Sequence, residues 1–86
     1  MFVIIAYDVK DHRDAKVLKT CRKYLQHEQK SVFEGYITDG QLNKLKSEIA
    51  KIIIPEDDSF LIYEFGNTKY SGKEILGKYS ENSNIL

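Results

Sequence analysis

The residue best placed to do chemistry in this sequence is an aspartate at the end of an apolar run. Residues 2–8 read FVIIAYD, so Asp8 closes a segment of β-branched and aromatic residues that predicts a buried strand. Strand ends that lead into a loop and a helix hold catalytic and metal-binding groups on a rigid support, which makes Asp8 the first candidate. The alternative is that Asp8 is a solvated strand end or accepts a hydrogen bond from the following loop.

A basic helix face is the second candidate. Arg13, Lys16 and Lys19 fall at the start and along the outward face of the next predicted helix, where they suit contacts to a phosphate backbone. A solvated helix face is the alternative. The imidazole of His12 would suit proton transfer unless it is only an exposed helix residue, whereas Cys21 lies in the apolar stripe of the helix and is predicted to be core.

Composition restricts the class of protein. The 86 residues form one domain, whose small size makes association into a dimer an expected source of stability. Thirteen basic and thirteen acidic side chains cancel, which argues against a protein that mainly coats nucleic acid unless the charges are segregated. A lone cysteine excludes an internal disulfide, and the apolar run is too short to cross a bilayer and lacks a basic leader, so we expect a cytoplasmic protein without membrane contact.

Two helices and further strands are predicted to position Asp8. We expect Asp11 to cap a helix that begins near His12, with an apolar stripe that includes Cys21 and ends at Leu25. Thr38 or Asp39 is expected to cap a second helix, with its own apolar stripe. That stripe comprises Leu42, Leu45, Ile49 and Ile52.

The strands are expected to complete a ferredoxin-like α+β domain of order βαββαβ. Residues 29–33 and 34–37 are predicted to form a bent or hairpin pair around Gly35, and residues 60–65 the last strand. The domain is expected to span 1–79, with a segment at about 67–79 that adds to a partner's sheet edge and builds a dimer. Residues 80–86 are expected to be a flexible tail.

Several of these segments together resemble the small CRISPR-associated Cas2 proteins. The resemblance runs from Met1 to about Tyr79, and the run SVFEG in register with the Tyr-Asp pair of the first strand is its more specific part. One departure is that the positions around Asp14 are often more basic in such proteins. The matching segments are residues 7–9 (YDV), Asp11, Arg13, residues 29–35 (QKSVFEG) and residues 73–77 (KEILG).

The resemblance implies a ferredoxin-like homodimer whose C-terminal strand extends the partner's sheet. It also implies work with the CRISPR-associated integrase in acquiring foreign DNA spacers, and metal-dependent endonuclease activity on RNA or DNA, with Asp8 as the metal-binding and catalytic residue. Mg²⁺ (or Mn²⁺) keeps several waters and uses only one or two protein carboxylates, so two Asp8 residues across a two-fold axis would make one site.

Three residues are expected to support that site or the dimer interface. They are Tyr7, Ser31 and Phe33, although core packing is the default role for Phe33 and a serine on a strand often makes only a local hydrogen bond. Two other functions stay open. The chain would be a non-catalytic dimeric scaffold that binds the backbone of duplex DNA, or an unrelated ferredoxin-like sensor of a small molecule.

Overall fold

Five antiparallel strands and two helices make up the fold, in a computed structural model that describes residues 1–66 and 69–78. The strands lie in the order β2-β3-β1-β4-β5, and β1 to β4 with the two helices form the predicted ferredoxin-like βαββαβ arrangement. Tyr79 and the expected tail at 80–86 lie outside the described residues. The elements are β1 (Phe2–Asp8), α1 (Arg13–Cys21), β2 (Gln26–Gln29), β3 (Val32–Tyr36), α2 (Asp39–Ile52), β4 (Ser59–Gly66) and β5 (Lys69–Gly77).

Both helices pack on one face of the sheet and leave the other face open. Alternation along β1 sends Val3, Ile5 and Tyr7 into the core beneath the helices, where they are buried. The core also takes in Phe33, Phe60 and Ile62 from the neighbouring strands and the apolar stripes of both helices, among them Cys21, which is buried as predicted. No helix among residues 1–66 and 69–78 has the length and apolar character needed to cross a membrane.

The first helix is shorter than predicted and has a different cap. It begins at Arg13 and ends at Cys21, and His12 is its N-cap with no side-chain hydrogen bond, so the prediction that Asp11 caps this helix is wrong. Asp11 instead adopts a left-handed backbone conformation (φ 56°) in the turn that enters the helix. Leu25 remains part of the apolar stripe and is buried, although it follows the end of the helix.

The second helix has the predicted cap. The Thr38 side chain accepts a hydrogen bond from the Gln41 backbone N–H, and the Gln41 side chain accepts one from the Thr38 N–H, which together form a capping box. Asp39 lies in the first turn, where a negative charge suits the helix dipole. Leu42, Leu45 and Ile49 are buried, as their spacing predicts.

The hairpin turn lies earlier in the chain than expected. β2 and β3 are joined by Lys30 and Ser31, whereas Gly35, the predicted bend, lies within β3 and pairs with Val3. The prediction failed because β2 has the sequence QHEQ, which offers no apolar alternation to detect.

The segment expected to join a partner's sheet forms β5 in this chain. It pairs antiparallel with β4 from Ser59↔Gly77 to Gly66↔Lys69 and forms one edge of the sheet, so its second side has no neighbouring strand in the described part of the chain. The expected addition to a partner's sheet stays a prediction, and residues 67, 68 and 79 of that segment lie outside the described residues.

Candidate functional site

Asp8 lies at the end of β1 on the open face of the sheet. Because Tyr7 points into the core, alternation directs the Asp8 side chain to the opposite face, where it is exposed. Its partner across the ladder is Ser59, the first residue of β4. Within residues 1–66 and 69–78, the Asp8 carboxylate has no hydrogen bond or ion pair, so its oxygens are open to solvent or a ligand.

The face that ends at Asp8 is mainly apolar, with Glu34 and Lys73 as charged members. Phe2 contacts Tyr36 edge-on with ring centroids 5.1 Å apart and Phe65 at 6.2 Å, while Tyr36 is 81% exposed. An aromatic cluster with an exposed tyrosine suits a binding or association surface. We call these side chains the open face, and they comprise Phe2, Ile4, Ala6, Val32, Tyr36, Leu61, Tyr63, Phe65 and Ile75.

Tyr7 and Phe33, two of the predicted supporting residues, lie in the core behind Asp8 and not beside it. Their rings stack at 6.3 Å, and Tyr7 also stacks on Phe60 at 6.0 Å. The Tyr7 hydroxyl is buried and has no hydrogen-bond partner in the described part of the chain, and burial raises its pKa to about 12. Phe33 therefore packs in the core. The His27 ring stacks on the Phe33 ring, with the two centroids 4.7 Å apart.

Ser31 is a backbone neighbour of the strand that carries Asp8. Its carbonyl accepts a hydrogen bond of 3.1 Å from the Tyr7 N–H, which continues the β1–β3 ladder by one residue. The half-buried Ser31 therefore borders the site through its backbone.

A buried acid next to the site, Asp58, was not predicted from the sequence. Its side chain has no exposed surface and accepts hydrogen bonds from Arg13, whose Nε lies 2.7 Å from Oδ2 and whose Nη2 lies 2.9 Å from Oδ1. The Lys10 N–H donates to Oδ1 at 3.0 Å and the Ile54 N–H donates to Oδ2 at 2.8 Å. These hydrogen bonds, above all those from Arg13, hold the pKa of Asp58 well below its usual range.

The pairing with Asp58 also changes the role expected of Arg13. Its side chain is only 14% exposed and commits two donors to Asp58, with Nη1 3.8 Å from an Asp11 oxygen. Because this guanidinium is largely buried and directed at Asp58, the structure gives Arg13 a structural role. Lys16 and Lys19 remain exposed on α1, and so does His12 at its start.

A divalent cation at this site would need carboxylate ligands from two chains. Residues 1–66 and 69–78 contain no cluster of three or more His, Cys, Asp or Glu side chains that would hold a metal ion. The one carboxylate that one chain exposes here, beside the Ser59 hydroxyl, offers the hard oxygen donors that Mg²⁺ prefers. A second chain is needed to supply a second carboxylate.

Comparison with known proteins places this geometry in a family. The family model described as CRISPR associated protein Cas2 matches residues 1–72. The chain is 51% identical over 77 residues to the CRISPR-associated endoribonuclease Cas2 of Dictyoglomus turgidum, which covers 90% of this chain and 88% of the relative. It is 43% identical over 77 residues to the protein of the same name from Thermotoga maritima, with the same coverage of 90% and 88%.

A solved structure agrees with these sequence matches. A crystal structure of Cas2 superimposes on the chain with a TM-score of 0.74 and 36% identity, covering 100% of this chain and 97% of that one. On these grounds the chain belongs to the CRISPR-associated Cas2 family.

Proposed function

We propose that this protein acts in CRISPR adaptation as a homodimer, together with the CRISPR-associated integrase, and that it cleaves RNA or DNA with Mg²⁺ or Mn²⁺. The observation that carries the proposal is the exposed Asp8 at the end of an open apolar face, in a chain whose relatives are named endoribonucleases. Family membership sets aside the alternative of an unrelated small-molecule sensor.

The proposed dimer forms through the open face, and its occupant is a second copy of the chain. A two-fold axis across this face would pair its aromatic residues with those of the partner and remove them from water, which favours association. Asp8 terminates the same face, so an axis near the ends of the β1 strands would bring the two carboxylates together. Without a cation these like charges would repel each other, so a bound cation would favour the dimer.

The cleavage we propose divides the work between the residues of both chains. The paired Asp8 carboxylates would bind and orient the cation, which supplies an activated water and stabilises charge on the scissile phosphate. The apolar open face would exclude bulk water beside the carboxylates. Lys16 and Lys19 would hold the phosphate backbone and position it without reading bases.

Replacing Asp8→Asn tests the cleavage directly. Asparagine keeps the shape of the side chain but loses the charge that binds the cation, so we expect cleavage of single-stranded RNA and duplex DNA to fall to background. Glu28→Gln is the matched control, since it removes an exposed carboxylate from β2 and should cleave like wild type. Cleavage by Asp8→Asn at the wild-type rate would contradict the assignment.

A non-catalytic scaffold is the second candidate, and the exposed lysines of α1 favour it because they act independently of Asp8. In that case spacer acquisition in cells should survive Asp8→Asn but fail when Lys16 and Lys19 are both changed to Gln. Binding of duplex DNA by wild type should also weaken steeply with salt, and a shallow dependence would count against the basic face.

A further inference from the structure

Asp58 is a buried acid that no step of the proposed cleavage uses. Its side chain accepts four hydrogen bonds: one from Lys10 in the loop after β1, two from Arg13 at the start of α1, and one from Ile54 in its own loop after α2. A buried carboxylate is tolerated only when it is paired and its lone pairs are satisfied, and Asp58 meets both conditions. It therefore joins the connection between β1 and α1 to the loop between α2 and β4 and fixes the two relative to each other.

The segments that Asp58 holds are those on either side of Asp8. Lys10 follows Asp8 by two residues, and Ser59, which follows Asp58 directly, pairs with Asp8 across the ladder. Since the Asp8 carboxylate has no hydrogen bond among the described residues, its position depends on the backbone that carries it and on its own side-chain rotamer. The hydrogen bond from the Lys10 N–H fixes that backbone on its loop side.

The end of β5 contacts the same residue. The Lys78 N–H donates to the Asp58 carbonyl at 2.7 Å, and Gly77 adopts a positive φ of 85° against it. A Cβ atom on Gly77 would lie 2.2 Å from that carbonyl oxygen, so only glycine fits. Asp58 is thus fixed through its backbone as well as through its side chain.

We propose that Asp58, together with Arg13, is a positioning residue for Asp8, which fixes the loop after β1 so that the Asp8 carboxylate faces its ligand. This inference rests on the proposed function, because it gives Asp58 a role in the same site. Arg13 acts through Asp58 and not on the nucleic acid. Misplacing a ligating group by a fraction of its bond length weakens metal binding and catalysis even when the ligand itself is intact.

The test uses the full-length protein and two readouts. The first is the steady-state kinetics of RNA cleavage, with kcat and KM measured separately. The second needs no activity: Mn²⁺ is titrated into isotope-labelled protein, and the paramagnetic broadening of the Asp8 amide NMR signal gives the affinity of the metal alone. The variants are Asp58→Asn, Arg13→Gln and the conservative Arg13→Lys, each compared at a temperature where thermal unfolding shows it to be folded.

Glu48→Gln is the matched control. It breaks the ion pair of Glu48 on α2 with Lys23 and weakens the hydrogen bond that the Tyr24 hydroxyl donates to Glu48, far along the chain from the Asp8 loop. It should lower the melting temperature without changing either readout. Any loss of activity that merely follows lost stability would appear in this control as well.

We expect Asp58→Asn and Arg13→Gln to lower kcat and the Mn²⁺ affinity by about tenfold each, with KM for RNA unchanged. Arg13→Lys, which keeps the charge, should recover part of both. The inference is wrong if the variants match Glu48→Gln in both readouts. Should Asp58→Asn fail to fold, the two Arg13 variants decide in the same way.

The proposed nuclease function and the positioning role of Asp58 can be disproved separately. If wild-type protein shows no cleavage that depends on Asp8, the proposed nuclease function is wrong, and the Mn²⁺ titration alone then decides the positioning role. Wild-type cleavage with unchanged kcat and Mn²⁺ affinity in all three variants overturns the positioning role and leaves the nuclease function standing.

Discussion

Two aspartates at neighbouring strand ends have opposite surroundings. Asp8 ends β1 with an exposed carboxylate, whereas Asp58 immediately precedes β4 and is fully buried with four hydrogen bonds. Burial without partners would cost several kcal/mol, so the guanidinium of Arg13 is what allows Asp58 to remain charged. The Asp8 carboxylate is therefore accessible to a ligand, whereas the Asp58 carboxylate stabilises the fold.

Asp58 should make stability depend on pH. Its folded-state pKa lies below the ordinary value of about 3.9, so its contribution is present in full above that value and is lost as the pH falls toward the folded-state pKa. We expect Asp58→Asn to lower the free energy of unfolding by about 3 kcal/mol at pH 7, and the difference from wild type to shrink at pH 3. Urea unfolding at both pH values measures this, and a difference that grows toward pH 3 would contradict it.

Burial should also make the thiol of the single cysteine, Cys21, unreactive. It raises the pKa of the Cys21 thiol to about 12, so the thiol stays protonated at pH 8 and the reactive thiolate is scarce. Reaction with a chromogenic disulfide reagent at pH 8 should be about 100-fold slower in native protein than in urea. Equal rates in the two conditions would mean that Cys21 is accessible.

Asp8 could be predicted from the sequence because the apolar run before it is a strong strand signal, and a residue at the end of a strand has a definite place. Asp58 could not, because it is the third of three consecutive acids after Pro55 and has the pattern of a solvated loop. The pairing with Arg13 joins residues 45 positions apart, and nothing local in the sequence indicates it. For want of such a signal, Arg13 was predicted to contact phosphate.

At the scale of elements, the hydrophobic pattern of the sequence predicted secondary structure reliably where an element buries only one of its faces. α2 has both a capping box and an apolar stripe, so its start and its buried face were predictable. β2 is polar throughout and is held by pairing with β3, so only the tertiary context makes it a strand. The turn at Lys30 and Ser31 was consequently placed too late in the chain.

The N-cap of α2 should make a measurable contribution to the free energy of unfolding. Thr38→Ala removes the acceptor for the Gln41 N–H and should lower the free energy of unfolding by about 1 kcal/mol. Asn43→Ala, at an exposed position within the same helix, is the control and should be neutral or slightly stabilising. The two variants would have equal stability in urea only if the capping box contributed nothing.

At the scale of the whole molecule, the proposed function depends on association. Among residues 1–66 and 69–78, a single chain supplies one exposed carboxylate, Asp8, at the end of the open face, and the proposed chemistry needs two. The fold could be predicted because 86 residues with this element order allow few arrangements. The relation between two copies is not encoded in any local pattern.

A charge on the open face should separate the copies. Ile4 lies in the middle strand of that face, so Ile4→Lys would place a charge in the proposed interface, and we expect a monomer by analytical ultracentrifugation. Cleavage should be lost with the dimer while far-UV circular dichroism stays unchanged. Ala50→Lys adds the same charge on α2 as the control and should remain dimeric. A dimeric Ile4→Lys would show that the copies meet elsewhere.

The two edges of the sheet differ in a way that limits how many copies can assemble. β2 forms one edge with four polar residues and a register shift between His27 and Gln29, which makes it a poor template for another strand. Growth of the sheet by edge addition is therefore blocked on that side. Addition at an edge would therefore be limited to β5, and two chains joined there would leave only their polar β2 edges exposed.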